Sequence, residues 1–160
     1  MEARKPRSTS RNAAIRTALR DLRVQLTLLN HQVGYRLSLK DAELDCLDVL
    51  AKEGALTPSA LARQAGIHPA TMTGILDRLE RGGWIVRDRD QADRRSVTIR
   101  IVKEQSAAVY RLYRGMNSAV DKICADYTDE ELELIAGFLR RCADAGLTST
   151  EKLAAGGTGA

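Results

Sequence analysis

The sequence predicts a mainly α-helical fold that carries one small β-hairpin. Apolar residues recur at alternating gaps of three and four over most of the chain, which is the stripe of an amphipathic helix. Between residues 84 and 102 this spacing gives way to two short runs rich in β-branched residues around a charged turn. A chain of 160 residues, 44% of them apolar, is long enough to bury a core between such elements.

The first predicted helix runs from Asn12 to about Leu37. Residues 1–11, which are basic and include Pro6, are expected to form a flexible arm before it. A helix this long and this apolar needs a partner surface, and a second copy of the chain would supply one. Its apolar stripe consists of Ile15, Leu19, Leu22, Leu26, Leu29 and Val33.

Two shorter helices follow, each with a recognisable start. Ser38 is the expected N-cap of a helix over Leu39–Lys52. Thr57 is the expected N-cap of a third helix, because Pro58 is tolerated at the first helical position and Gly66 marks the end.

A fourth helix and the hairpin complete the middle of the chain. His68 and Pro69 begin the helix, which should reach about Arg81 before two glycines stop it. Residues 84–89 and 96–102 are the predicted strands, and the short charged turn between them makes them a hairpin.

Two further helices are predicted after the hairpin. The first runs from Glu104 to about Tyr127, and the second begins at a capping box formed by Thr128 and Glu131. That last helix should end near Gly146, and residues 147–160 are expected to be a disordered tail.

Arginines are concentrated in residues 1–23 and 78–103, within a chain of net charge +4. The planar guanidinium group suits phosphates and base edges, so this distribution favours a nucleic-acid partner. A solvated surface of mixed charge is the alternative interpretation.

Several classes of protein are disfavoured by the composition. No apolar run approaches the roughly 20 residues of a membrane span, so a cytoplasmic protein without membrane contact is expected. Cys46, Cys124 and Cys142 lack metal-ligand spacing and are interpreted as small buried apolar residues, and no cofactor is expected. With two histidines and no nucleophile–base or phosphate-loop motif, we expect no enzymatic activity.

A short helix, a turn containing Gly66, a second helix and a charged hairpin together form a winged helix-turn-helix. The second helix is narrow enough for the major groove of double-stranded DNA, and the small residues at its start allow close approach to base edges. Arginines at the hairpin tip can reach the adjacent minor groove, with Asp93 orienting one of them. The expected DNA-binding residues are Ser59, His68, Ala70, Thr71, Thr73, Gly74, Arg78, Arg94 and Arg95.

Arg78 has a second interpretation. It could pair with Asp77 or Glu80 on its own helix instead of contacting phosphate, since neighbouring helical residues interact. Of the two threonines on this helix, only one is expected to point at the bases.

The middle of the chain resembles the DNA-binding lobe of the MarR-type transcriptional regulators over LTPSALARQAGIHPATMTGILDRLERGGWIVRDRDQADRRSVTIRIV. The family's Asp-x-Arg wing motif corresponds to Asp93 and Arg95. Two features depart from the family pattern. His68 stands where a better capping residue is common, and Ile101–Gln105 replaces the usual Leu-Thr-x-x-Gly, which leaves the start of the fifth helix open.

The resemblance implies a homodimer that binds a pseudo-palindromic site. Residues 12–37 and 104–146 would form a helical dimerisation region, and residues 38–103 the winged helix-turn-helix lobe. Two-fold symmetry independently predicts half-sites about 10 bp apart. Such regulators usually repress, and many release DNA when a small aromatic or phenolic ligand binds between the lobes or when a cysteine is oxidised.

The sequence points less clearly to a sensing site. A redox switch needs an exposed, acidified thiol, and no cysteine lies at the start of the first helix, where peroxide-sensing relatives carry it. An anionic ligand would need basic or aromatic side chains facing a cavity between the first helix and the DNA lobe. The candidates are Arg16, Arg20, His31, Tyr35, Tyr110 and Tyr113.

Two alternative functions stay open at this point. One is a constitutive DNA-binding regulator without ligand sensing. The other is a winged-helix module that docks a protein, although paired wing arginines favour DNA.

Overall fold

The computed structural model describes residues 8–89 and 97–156, which form six α-helices and one two-stranded antiparallel sheet. The predicted mainly α fold with a small β-wing is confirmed. In chain order the elements are α1 (Ser8–Leu37), α2 (Asp41–Glu53), α3 (Pro58–Gln64), α4 (Pro69–Arg81), β1 (Ile85–Arg89), β2 (Val97–Ile101), α5 (Lys103–Cys124) and α6 (Asp129–Gly156).

The chain divides into two compact units, Met1–Tyr113 and Arg114–Ala160. The first unit contains α1 to α4, the sheet and the first half of α5. The second contains the rest of α5 and all of α6. The assignment of residues 12–37 and 104–146 to a dimerisation region stays a prediction.

The core of the first unit lies between α2, α3, α4 and the sheet. The sheet pairs Ile85 with Ile101 and Arg87 with Ile99, and an isolated bridge adds Leu56 beside Ile99. Because these elements close on one another, the apolar faces of α2, α3 and α4 are removed from water. The largest fully buried side chains are Leu44, Leu47, Leu50, Leu61, Ile75, Leu79, Ile85, Ile99 and Cys46.

The ends of α3 and α4 follow the sequence signals closely. The Thr57 hydroxyl accepts a hydrogen bond from the Ala60 N–H at 3.3 Å, which confirms the predicted N-cap. After α4, the Gly83 N–H donates to the Glu80 carbonyl at 3.0 Å and the Trp84 N–H to the Leu79 carbonyl at 2.9 Å. This paired closure needs a residue of positive φ, which Gly83 supplies at +71°.

The predicted N-cap of α2 is wrong. Ser38 instead closes the end of α1 with a φ of +56°, and the Leu39 N–H donates to the Gly34 carbonyl at 2.9 Å. Lys40 occupies the N-cap position, where its N–H donates to Glu43 Oε2 at 2.9 Å. The N-terminus of α2 is thus closed by an acidic residue of its first turn that accepts the N-cap N–H, and not by a serine side chain that accepts an N–H of the first turn.

The helices at the two termini are longer than predicted. α1 begins at Ser8, so residues 8–11 are helical and not part of a flexible arm. Extending a formed helix adds one hydrogen bond for each residue ordered, and nothing between Ser8 and Asn12 interrupts it.

At the other end α6 continues to Gly156, so residues 147–156 are helical instead of disordered. The Ser149 and Thr150 hydroxyls donate to the carbonyls of Ala145 and Gly146, four residues back. These residues therefore satisfy their polar groups within the helix. α5 ends at Cys124, three residues before the predicted Tyr127.

The cysteines differ in their environment. Cys46 is completely buried, as expected, and burial together with the charges of Asp45 and Glu43 raises its pKa to about 12. Cys124 and Cys142 are only half-buried, so the expectation of burial holds for one thiol out of three. Within the described residues, no helix has the length and hydropathy to cross a bilayer.

Candidate nucleic-acid interface

α3 and α4 are joined by a tight turn that the sequence specifies residue by residue. Gly66, with a φ of +66°, follows α3, and the Ile67 N–H donates to the Ala62 carbonyl at 2.9 Å. His68 then caps α4, because its Nδ1 accepts a hydrogen bond from the Ala70 N–H at 3.2 Å. The departure from a serine cap therefore keeps the capping function. A neutral ring that accepts at Nδ1 carries its proton on Nε2, which leaves a donor for an outside partner.

The outward face of α4 is small and polar over its first two turns. Met72, Ile75, Leu76 and Leu79 are buried against the core, whereas the opposite face is exposed or half-exposed. Because successive helical residues are 100° apart, Ala70 and Gly74 lie at the centre of the outward face. The sequence predictions that share this face or border it are Ala70, Thr71, Thr73, Gly74 and Arg78.

Thr71 and Thr73 lie on opposite flanks of the outward face. They are 200° apart around the helix axis, and both are exposed. The expectation that only one of them points at bases stays a prediction. Ser59, at the start of α3, is exposed and lies 3.2 Å from the Thr57 hydroxyl, oxygen to oxygen.

Arg78 pairs with neither of the acidic residues predicted as its partners. Its Nε donates to Glu43 Oε1 on α2 at 2.5 Å. Glu43 is the buried charged residue among those the structure describes, with 4% of its surface exposed. Sequence reasoning missed it, since its place in a predicted amphipathic helix carried no sign of a partner 35 positions away.

Asp77 and Glu80 are instead neutralised by the hairpin. Arg87 of β1 donates Nη2 to Asp77 Oδ1 at 2.6 Å and Nη1 to Glu80 Oε2 at 3.0 Å. This double pair also fastens the hairpin to α4. The positive charge of Arg81 and Arg78 on α4 is thus not offset by these two carboxylates.

The predicted wing residues Asp93, Arg94 and Arg95 lie outside the described residues, so their assignment stays a prediction. The strands that lead to them are described, and they pair in register from Ile85 with Ile101 to Arg89 with Val97.

The six candidate ligand residues do not form one cluster of contacts. His31 Nε2 lies 2.8 Å from Asp41 Oδ2, and the Tyr113 hydroxyl donates to Asn30 Oδ1 at 2.8 Å. Tyr35 is 83% exposed and Tyr110 63% exposed, and Arg16 and Arg20 are exposed on α1.

Tyr113 lies close to an acidic stretch of α2. Burial and the charges of Asp48 and Asp45 raise the pKa of its hydroxyl. The pKa of Asp48 is itself raised by partial burial of its carboxyl and by Asp45. Sequence reasoning missed these two aspartates, although their spacing relative to Asp41 places all three on one side of α2.

Comparisons with known proteins agree with this architecture. The MarR family model matches residues 39–97. The HTH-type transcriptional regulator YcgE of Bacillus subtilis is 31% identical over 144 residues, which are 90% of this chain and 93% of the relative. FarR of Neisseria gonorrhoeae, an HTH-type transcriptional regulator, is 30% identical over 71% of this chain and 75% of its own length. The homoprotocatechuate degradative operon repressor of Escherichia coli is 29% identical over 65% of this chain and 70% of its own length.

Solved structures share the fold at lower identity. A MarR family protein from Bacillus stearothermophilus superposes with a TM-score of 0.67 at 21% identity, covering 85% of this chain and 95% of that one. NadR in complex with 4-hydroxyphenylacetate superposes with a TM-score of 0.63 at 24% identity, covering 89% and 98%. The helix-turn-helix formed by α3 and α4, the antiparallel hairpin after it and a relative that matches nearly end to end together establish the family. The chain is a DNA-binding transcriptional regulator of the MarR family.

Proposed function

We propose that the chain acts as a homodimeric repressor that places the α4 helix of each copy in a major groove of a pseudo-palindromic operator. The observation that carries this proposal is the outward face of α4, where Ala70 and Gly74 leave the helix surface low between flanking threonines. A low surface lets the helix approach base edges, and its positive N-terminal end attracts the phosphate backbone. His68, Ser59 and the wing residues Arg94 and Arg95, with Asp93 in support, are the further contacts proposed.

Exposed apolar residues on α1 support the homodimer. Leu22 and Leu26 are 41% and 38% exposed, and Val24 and Leu28, nearly on the opposite side of the helix, are 40% and 53% exposed. A helix that is apolar on two sides is expected to be covered on both. The remaining side of α1 is polar and carries Arg16, Arg20, Arg23 and Thr27.

The second unit gives independent support. On α6, Leu134, Ile135, Phe138 and Leu139 are all at least 39% exposed. Contiguous apolar surface of this kind is typical of an interaction face, and a second copy of the chain is the occupant that the family resemblance favours.

We also propose that a small phenolic compound releases the repressor from DNA. Two similar proteins support a compound of this class: NadR holds 4-hydroxyphenylacetate, and a curated relative represses a homoprotocatechuate degradative operon. Near Tyr113 the charges of Asp45 and Asp48 would favour a neutral phenol over a carboxylate. The six candidate ligand residues, Arg16, Arg20, His31, Tyr35, Tyr110 and Tyr113, remain the proposed lining.

The test is a gel shift on the promoter region of the protein's own gene, at two salt concentrations. We expect one discrete complex whose affinity falls steeply with salt, because phosphate contacts release counterions. Phenol, 4-hydroxyphenylacetate and salicylate are added in turn, and the neutral phenol should dissociate the complex at a lower concentration than either carboxylate. Binding that ignores all three would favour a constitutive regulator, and salt-insensitive or absent binding would favour the module that docks a protein.

The homodimer is tested separately by light scattering. Leu22→Glu should give a monomer that no longer binds the full operator. Thr27→Glu, which adds the same charge on the polar side of α1, should remain a dimer. A wild-type monomer that still occupies the whole palindrome would rule out the dimer.

A further inference from the structure

We propose that Glu43 is a positioning residue that holds Arg78 for recognition of a guanine in each half-site. This inference rests on the proposed insertion of α4 into the major groove. It assigns a specificity role to a pair of side chains from two different helices, one of them buried and unable to touch DNA.

Glu43 is fixed at both carboxylate oxygens. Oε2 accepts the Lys40 N–H at 2.9 Å and so belongs to the first turn of α2, while Oε1 accepts Arg78 Nε at 2.5 Å. The residue is only 4% exposed. A buried carboxylate with both oxygens engaged has little freedom, and leaving it without its cation would be costly, so the pair is expected to persist in solution.

The contact determines how the Arg78 guanidinium can meet DNA. Because Nε is engaged by Glu43, the two terminal nitrogens are left to contact an outside group. Among the described residues, Glu43 is the carboxylate that Arg78 contacts. Two parallel N–H donors at the end of an arginine match the O6 and N7 acceptors of guanine in the major groove.

Gly74 places this donor pair over the outward face of α4. A Cβ built at Gly74 would lie 3.6 Å from Arg78 Nη1, so the guanidinium lies across the glycine, near the centre of that face. Arg78 therefore extends along its helix toward the N-terminal turns, where base contacts are proposed. Arg81, one turn further from those turns and also exposed, is better placed for phosphate.

The nearer carboxylates do not compete for Arg78. Asp77 and Glu80 both pair with Arg87 of the hairpin. Within the described part of the chain, the orientation of Arg78 is therefore set by Glu43 of α2 alone. The arginine proposed to contact guanine and the ion pairs that attach the hairpin to α4 use different carboxylates.

The experiment compares operator affinity for wild type, Glu43→Gln, Arg78→Ala and the double variant, over operators in which each half-site base pair is substituted in turn. Glutamine keeps an oxygen for the Lys40 N–H, so α2 should remain capped. Glu53→Gln is the matched control, because Glu53 lies on the same helix and pairs only with Lys52 within the described residues.

We expect Glu43→Gln to weaken operator binding about tenfold, the scale of one lost bidentate base contact. The loss should fall on the same G·C pair whose preference Arg78→Ala abolishes, and Glu43→Gln should add nothing in the Arg78→Ala background. Glu53→Gln should bind as tightly as wild type or more tightly.

The sign of the effect separates positioning from simple charge. Removal of a negative charge by itself strengthens DNA binding, so unchanged or tighter binding by Glu43→Gln would overturn the inference. An equal loss at every base pair, or in the Arg78→Ala background, would also overturn it by pointing to a general structural role. If Glu43→Gln fails to fold by circular dichroism, Glu43→Asp replaces it. Aspartate keeps the negative charge but is one methylene shorter, which withdraws the carboxylate from Arg78 Nε, so an unchanged guanine preference would then be the contradicting result.

Failure of the proposed function looks different. In that case the wild-type protein binds no fragment selectively, whereas failure of this inference alone leaves selective wild-type binding intact.

Discussion

Gly34→Ala should destabilise the protein even though the position is helical. In an ordinary helix interior, replacing glycine by alanine stabilises a protein by about 0.5–1 kcal/mol, because glycine loses more backbone freedom on folding. At Gly34 an added Cβ would lie 2.8 Å from the Leu39 carbonyl oxygen and 3.2 Å from Leu44 Cδ1. Both distances are tighter than the 3.4 Å at which ordinary contact begins.

Neither neighbour can move freely. The Leu39 oxygen belongs to the backbone that closes α1, where the Leu39 N–H donates to Gly34 itself, and Leu44 is 1% exposed in the core. Overpacking of such a site costs about 1–3 kcal/mol. With an overpacking cost near the middle of that range, about 2 kcal/mol, and a helix propensity gain of about 0.5–1 kcal/mol, the net loss in the free energy of unfolding should be about 1–1.5 kcal/mol.

Urea unfolding followed by far-UV circular dichroism, at one fixed protein concentration, measures this loss. The midpoint for Gly34→Ala should fall by about 0.5–1 M urea. Gly115→Ala is the matched control, because Gly115 is also helical and nothing lies within 4 Å of its added Cβ, so its midpoint should rise slightly. A Gly34→Ala midpoint at or above that of wild type would refute the steric argument.

Three further predictions follow from the described side chains. Cys46 should resist iodoacetamide at pH 8 in the folded protein, because burial raises the pKa of its thiol to about 12. The thiol should react once urea unfolds the chain. Rapid labelling of Cys46 in the native protein, mapped by mass spectrometry, would contradict its burial. Asp48→Asn should stabilise the protein slightly at pH 7, by less than about 1 kcal/mol, and so raise its melting temperature. The pKa of this partly exposed carboxyl is raised in the folded protein, so its charged form opposes folding once the pH rises above the ordinary value of 3.8. An equal change in melting temperature at pH 3, where the carboxyl is mostly protonated in both states, would contradict that cause. Arg87→Ala should weaken operator binding several-fold, because Asp77 and Glu80 would then present uncompensated negative charge beside the DNA. It should also make the hairpin more susceptible to proteolysis, because the ion pairs that attach β1 to α4 are lost. Unchanged affinity in a titration by fluorescence anisotropy would show that these carboxylates lie too far from the phosphates to matter.

Helix starts and stops could be predicted wherever a single residue caps or closes the helix end next to it. Thr57, Thr128 and the glycines after α3 and α4 each act within a few positions of themselves, so the predicted starts and stops agree with the structure. The Ser38 prediction failed because two local solutions competed. The positive φ at Ser38 closes α1, and Glu43 satisfies the N-terminus of α2.

The termini of α1 and α6 were harder to predict for a different reason. Their boundaries depend on how far a formed helix continues, and a polar or small-residue sequence such as residues 147–156 signals neither a helix nor a stop. Hydroxyl groups that bond back to the preceding turn, as in Ser149 and Thr150, are visible only once the helix is built.

The family resemblance, the helix-turn-helix with its hairpin, and the small, polar outward face of α4 could all be predicted from the sequence, because periodicity, caps and turn residues are local properties. Which charges meet depends on the packing of distant elements: Arg78 pairs with Glu43, and Arg87 pairs with Asp77 and Glu80. The sequence offers each arginine several carboxylates nearby in the chain, and their spacing does not record which elements pack together. Packing of α2 and β1 against α4 selects the partners, since a buried charge such as Glu43 must find its cation wherever the fold brings one within reach.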